Sequence, residues 1–210
     1  MARRKRKQPN FSWGMMAIVS IALALFSFRY LFGIGPLAPN VVTNAFASPW
    51  LMIHVAGACT ALLVGSFQFV PGIRSRFPVF HRWGGRVYAA GCIVGGSSGL
   101  LLALGSTSGP VATAGFGGLA TCWLITTCRG WQLAMERRFA EHREWMIRSW
   151  ALTLAAVTLR LYLPVAPLLG FSFVEGYRVI SFLCWVPNLV IAEIYLAGSR
   201  NTRPDTASPA

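Results

Sequence analysis

Six apolar runs of roughly 20 residues each dominate the chain, and that length is what a helix needs to cross a bilayer's hydrocarbon core. They extend from about Trp13 to Ile34, Pro49 to Val70, Trp83 to Leu104, Val111 to Cys128, Trp145 to Leu163 and Tyr177 to Leu196. In lipid every backbone N–H and C=O must be satisfied within the protein, which favours helices for runs of this kind. The expected fold is an all-α membrane protein with about six transmembrane helices. The fourth run is the shortest and is expected to borrow a turn from a neighbour. Composition agrees: 55% of the 210 residues are hydrophobic and 12% charged, and mean hydropathy is +0.54. A soluble domain carries about 25% charged residues. Disorder is excluded, and a soluble enzyme or nucleic-acid-binding domain is disfavoured.

Against that apolar background the net charge is +13. Counting Lys and Arg across the loops assigns orientation. Arg3, Arg4, Lys5, Arg6 and Lys7 precede the first run. Arg74, Arg76, Arg82 and Arg86 lie in the loop between runs two and three and at its helix edge. Arg129, Arg137, Arg138, Arg143 and Arg148 lie between runs four and five, and Arg200 and Arg203 follow the sixth. These sixteen of nineteen basic residues fall on one side, leaving Arg29, Arg160 and Arg178 on the other. Both termini are therefore expected in the cytoplasm, with the basic segments on anionic lipid. Nucleic acid is not an expected partner. Ala45-Phe46-Ala47 could be read as a signal-peptide cleavage site, but the apolar run before it is too long, so an anchor helix is expected. The expected organisation is a basic N-terminus (1–12), one transmembrane domain (13–197, core 49–164) and a polar tail (198–210).

Two segments repeat. His81-Arg82-Trp83-Gly84-Gly85-Arg86-Val87-Tyr88-Ala89 resembles His142-Arg143-Glu144-Trp145-Met146-Ile147-Arg148-Ser149-Trp150-Ala151, with one extra residue in the second. The two histidines are 61 residues apart, as are Pro49 and Pro110. Runs two-three and four-five thus read as two tandem hairpins forming a four-helix core, with two peripheral helices. Gly57, Ala61 and Gly65 on one run, and Gly91, Gly95 and Gly99 on the next, form small-residue stripes for close helix contact.

Few residues can carry chemistry. His54 shares a helical face with Gly57, Ala58, Ala61 and Gly65. It reads either as a ligand or proton-handling group, or as an interhelical hydrogen-bonded histidine. Arg160, inside an apolar run, reads either as snorkelling outward or as pairing with His54 in an outer polar site. His81 and His142 open runs three and five at matching depth, as an iron-ligating imidazole pair requires. Arg82, Arg86, Arg143 and Arg148 stand at the same helix starts. They suit a phosphate, a lipid headgroup or a quinone-like acceptor, or else set topology and pair with Glu136, Glu141, Glu144 and Glu193. The expected cofactor site is His81, His142 and these four arginines, for one haem b or a quinone, with the histidines as iron ligands. The five cysteines, none in a Cys-x-x-Cys pair, read as small buried hydrophobes.

His54, Gly65-Ser66-Phe67-Gln68-Phe69, the two His-Arg blocks and Thr158-Leu159-Arg160 together resemble a widespread bacterial family of predicted multi-pass membrane proteins of unknown function. The resemblance covers about half the chain. It implies a helical membrane fold, here in a bacterial inner membrane, and brings no established activity. A looser likeness is to transmembrane b-type cytochromes. The chain departs from them in having no second inward histidine pair, so two haems are not expected. Two functions follow as expectations: a redox-linked membrane protein with one haem or quinone site at the cytoplasmic side, or a non-enzymatic accessory or assembly subunit packed against other membrane subunits.

Overall fold

The computed structural model describes residues 11–35, 39–70 and 72–201. The basic cluster Arg3–Lys7 and most of the polar tail, Arg203 included, lie outside the described residues. Eleven α-helices are described: α1 (Phe11–Phe28), α2 (Pro39–Val42), α3 (Ala47–Gln68), α4 (Ile73–Arg76), α5 (Pro78–Leu104), α6 (Pro110–Met135), α7 (Phe139–Thr153), α8 (Ala155–Tyr162), α9 (Val165–Leu168), α10 (Phe173–Leu183) and α11 (Val186–Asn201). Among the described residues there is no strand.

Among the described residues, five stretches are long and apolar enough to cross a membrane: Gly14–Phe32, Ala47–Gln68, Pro78–Leu104, Pro110–Met135 and Phe173–Arg200. The expected span Trp145–Leu163 is not one such helix. It is divided at Leu154 between α7 and α8, and α7 begins with charged Glu141, Arg143, Glu144 and Arg148. The Thr153 hydroxyl donates to the carbonyl one turn back, Ser149 O at 2.9 Å, and the Thr158 hydroxyl faces Leu154 O at 3.2 Å and, more closely, Cys184 O at the end of α10. Such bonds bend helices. The fourth run is also longer than expected. Helix α6 spans 26 residues, because Arg129, Gln132 and Glu136 satisfy one another along its polar end, at 2.7 Å in each contact.

Helix α3 packs mainly on α5, α5 on α6, and α6 on α7, while α1 lies against α3, and α10 and α11 against α6 and α7. A four-helix core with peripheral helices on two sides results. The small-residue stripes explain the tightest contact. A Cβ at Gly57 would stand 2.5 Å from Gly95 N and 2.8 Å from Gly91 O. The two backbones therefore touch, as small-residue stripes allow in lipid. The core between α3, α5, α6 and α7 is filled by Ala61, Leu62, Tyr88, Cys92, Trp123, Trp150 and Leu152.

Pro78 opens α5, where a missing N–H costs nothing. The helix thus begins before His81 rather than at Trp83. All five cysteines are free, with Cys59, Cys92 and Cys184 buried, Cys122 half-buried and Cys128 exposed.

Candidate functional site

The two His-Arg blocks meet at one end of the core, where α3 ends and α5 and α7 begin. Two turns along from the histidines, Tyr88 Oη lies 2.8 Å from Ser149 Oγ. Tyr88 follows His81 by seven residues, and Ser149 follows His142 by seven. Seven residues are close to two full turns, about 10 Å of rise. His81 therefore shares the face of Tyr88, and His142 the face of Ser149, at equal depth on helices that meet through those residues. His142 lies within electrostatic range of His81.

The local repeat also produces matching geometry. Arg86 stands over the Trp83 ring at 4.7 Å, and Arg148 over the Trp145 ring at 5.1 Å. The same Trp-x-x-Arg spacing thus makes the same cation–π contact twice.

The ring of His142 is fixed by a hydrogen bond of 2.7 Å between Nδ1 and the Gly130 carbonyl. A carbonyl only accepts, so Nδ1 carries the proton and Nε2 keeps its lone pair. Gly130 is the residue that permits this approach: a Cβ there would lie 2.6 Å from Met146 Sδ. His81 Nδ1 is buried without a hydrogen-bond partner. So are both amide atoms of Gln68 and the indole Nε1 of Trp150. Gln68 presses against Gly84, one turn from His81, in the space a Cβ there would take. Gly65 is likewise held against the rings of Trp150 and Tyr88, and Phe69 packs at a tilt beside Trp150 with centroids 5.8 Å apart. Buried polar atoms without partners are rare in native folds, and here four of them gather around the histidine end of three helices.

Beneath them lies a closed hydroxyl network. Thr127 Oγ1 is 2.7 Å from Ser149 Oγ, Tyr88 Oη is 2.9 Å from Thr153 Oγ1, and Trp123 Nε1 donates to Thr153 Oγ1 at 2.9 Å. These groups satisfy one another and tie α5, α6 and α7 together. Sequence reasoning assigned no role to Gln68, Trp150, Tyr88 or this network. The available signal was the i, i+4 spacing of Ser149 and Thr153 on one helix face.

The four flanking arginines divide. Arg148 makes a bidentate pair with Glu193 at 2.5 and 2.9 Å, and Arg143 donates to Tyr195 Oη at 3.1 Å. Both thereby fasten α7 to α11. Arg82 and Arg86 are exposed, and among the described residues neither joins an ion pair. In the α6–α7 turn, the hydrogen bonds that Arg138 donates to Glu141 and Glu136 raise its pKa above the ordinary value.

His54 and Arg160 lie elsewhere. His54 sits about two turns into α3, further in than its expected position, because the helix starts at Ala47. Its Nδ1–H donates to the Gly95 carbonyl at 2.8 Å. Arg160 on α8 is half-buried, within electrostatic range of His54, Cys59 and Tyr30. Among the described residues no group of three or more His, Cys, Asp or Glu could hold a metal ion, so a metal at the histidine end needs ligands beyond the side chains, as an iron in a macrocycle has.

No curated protein and no solved structure matches the chain. A family described as predicted membrane protein (DUF2306) matches residues 51–196, well over half of the chain, and the chain belongs to that family of membrane proteins.

Proposed function

We propose that this is a redox-linked membrane protein that holds one haem b between His81 and His142. The observation that carries the reading is the shared register: each histidine lies two turns from a member of the Tyr88–Ser149 contact, on the facing sides of α5 and α7. The donor set fits the group. Two imidazoles from separate helices are available, one of them already oriented by a backbone carbonyl with Nε2 left to ligate. A haem held this way supplies one-electron transfer. Around it, the Gly130 carbonyl fixes the His142 tautomer, and Arg82 and Arg86 are the cations left for propionates. Tyr88, Trp123, Thr127, Ser149 and Thr153 close the floor of the site, and the orphaned Gln68 amide and Trp150 N–H would be donors available at the same end.

The arginine count supports placing this end at the cytoplasmic face of a bacterial inner membrane, with both termini on that side. A quinone is the second reading. The Gln68 amide and Trp150 Nε1, buried and unpartnered, are suitable donors for a quinone carbonyl. An accessory or assembly role is supported only by apolar faces, which any bundle presents to lipid. Stoichiometric co-purification with a larger membrane complex would favour it.

The test is a visible spectrum of the purified full chain, expressed with ample haem precursor, oxidised and then reduced. The reading expects a Soret band with sharpened α and β bands on reduction, and one haem per chain. Protein that carries extractable quinone and lacks a Soret band would transfer the site to the second reading.

A further inference from the structure

Arg160 is a half-buried cation for which the described chain has no carboxylate to offer. The sequence holds six acidic residues. Glu136 and Glu141 both pair with Arg138, Glu144 with Arg200, and Glu193 with Arg148. Glu175 closes a capping box with Ser172 at the start of α10. The sixth, Asp205, lies outside the described residues. The guanidinium of Arg160 donates through Nη1 to Ala156 O on its own helix at 3.0 Å. Its remaining neighbours are neutral: Cys59, Tyr30 and His54, whose Nδ1–H is committed to Gly95.

A second cation bonds the tyrosine that lies within electrostatic range of Arg160. Arg29 donates to Tyr30 Oη at 3.1 Å and lies over the Phe26 ring at 4.1 Å. Its Nε is buried without a hydrogen-bond partner. Tyr30 thus accepts from Arg29 within electrostatic range of Arg160, at the end of the bundle opposite His81 and His142, and among the described residues neither arginine joins an ion pair. An unpaired charge at membrane depth is costly, so a counter-ion from outside the described residues is called for.

The neighbouring surface indicates what carries that counter-ion. Between α1 and α8 runs a groove of about 320 Å³, lined by Met15, Met16, Val19 and Val157. Val157 precedes Arg160 by three residues, so the apolar wall leads up the same side of α8 to the guanidinium. We propose that this is a binding site for an anionic phospholipid, with its phosphate against Arg160 and Arg29 and an acyl chain in the groove. The apolar lining excludes a free anion as the sole occupant, and the two arginines select against lipids of no net charge.

The experiment is native mass spectrometry of the full chain released from bilayers of phosphatidylcholine with a minority of phosphatidylglycerol. The expected result is one phosphatidylglycerol retained per chain. Arg160→Gln should lower its retention about tenfold, as loss of one charge-assisted contact implies, while Arg160→Lys keeps part of it. Val19→Trp, which fills the groove and leaves both arginines intact, should lower it as well. Glycerol 1-phosphate should not displace the lipid. The proposal is overturned if Arg160→Gln and Val19→Trp retain the lipid like the parent, if phosphatidylcholine is retained equally, or if glycerol 1-phosphate displaces the lipid. None of these readouts depends on haem.

Discussion

The two ends of this bundle handle positive charge in opposite ways. At the histidine end Arg148 is held by Glu193, Arg200 by Glu144, and Arg138 by Glu136 and Glu141. The buried polar atoms left unpartnered there are neutral, an imidazole nitrogen, an amide and an indole N–H, and the arginines outside any ion pair, Arg82 and Arg86, are exposed. At the opposite end the neutral groups are partly satisfied and the charge is not. His54 is tied to Gly95, while Arg160 has only a carbonyl of its own helix. Unmet valences of different kinds call for different ligands. Neutral nitrogens suit a metal or a quinone, and an uncompensated guanidinium suits a phosphate.

The largest effect should come from breaking the spine the two ends share. Gly57→Leu would drive a side chain into the Gly91 and Gly95 backbone. Overpacking of that kind costs about 1–3 kcal/mol or more. Fluorescence-detected size exclusion should show loss of monodisperse protein, with both ligands lost together. Tyr88→Phe acts on the histidine end alone. It removes one hydroxyl from the buried network while Ser149 and Thr153 keep other partners, so about 1 kcal/mol is expected from the thermal midpoint. Still smaller, Glu193→Gln breaks the half-exposed pair with Arg148 and should cost under about 1 kcal/mol. Set beside it, Arg160→Gln should have the opposite sign in a detergent without anionic lipid, because it removes a half-buried charge that nothing in the described chain balances. A midpoint that falls in both variants would erase the contrast between the ends.

Much of the architecture could be read without coordinates. Apolar length located five of the spanning helices, and the 61-residue offset between His81 and His142 anticipated two hairpins with matching starts. Length failed at the fifth passage, since a break at Leu154 depends on Thr153 and Thr158 turning their hydroxyls back onto the main chain, and no apolar count sees that. The pairing of Arg148 with Glu193 was among the expected alternatives. The isolation of Arg160 was not, because isolation is a property of where all the carboxylates go. Gln68 and Trp150 were equally hidden: an amide in a Gly-Ser-Phe-Gln-Phe segment gains meaning only when three helices enclose it without a partner.

The central claim is that the His81–His142 end, not the His54 end, holds the redox group. Reduced-minus-oxidised spectra of His81→Ala, His142→Ala and His54→Ala, measured on folded protein of equal monodispersity, test it most directly. The account predicts that the low-spin bands vanish in the first two variants and persist in the third. Bands that survive either of the first two changes, or disappear only in His54→Ala, would contradict it.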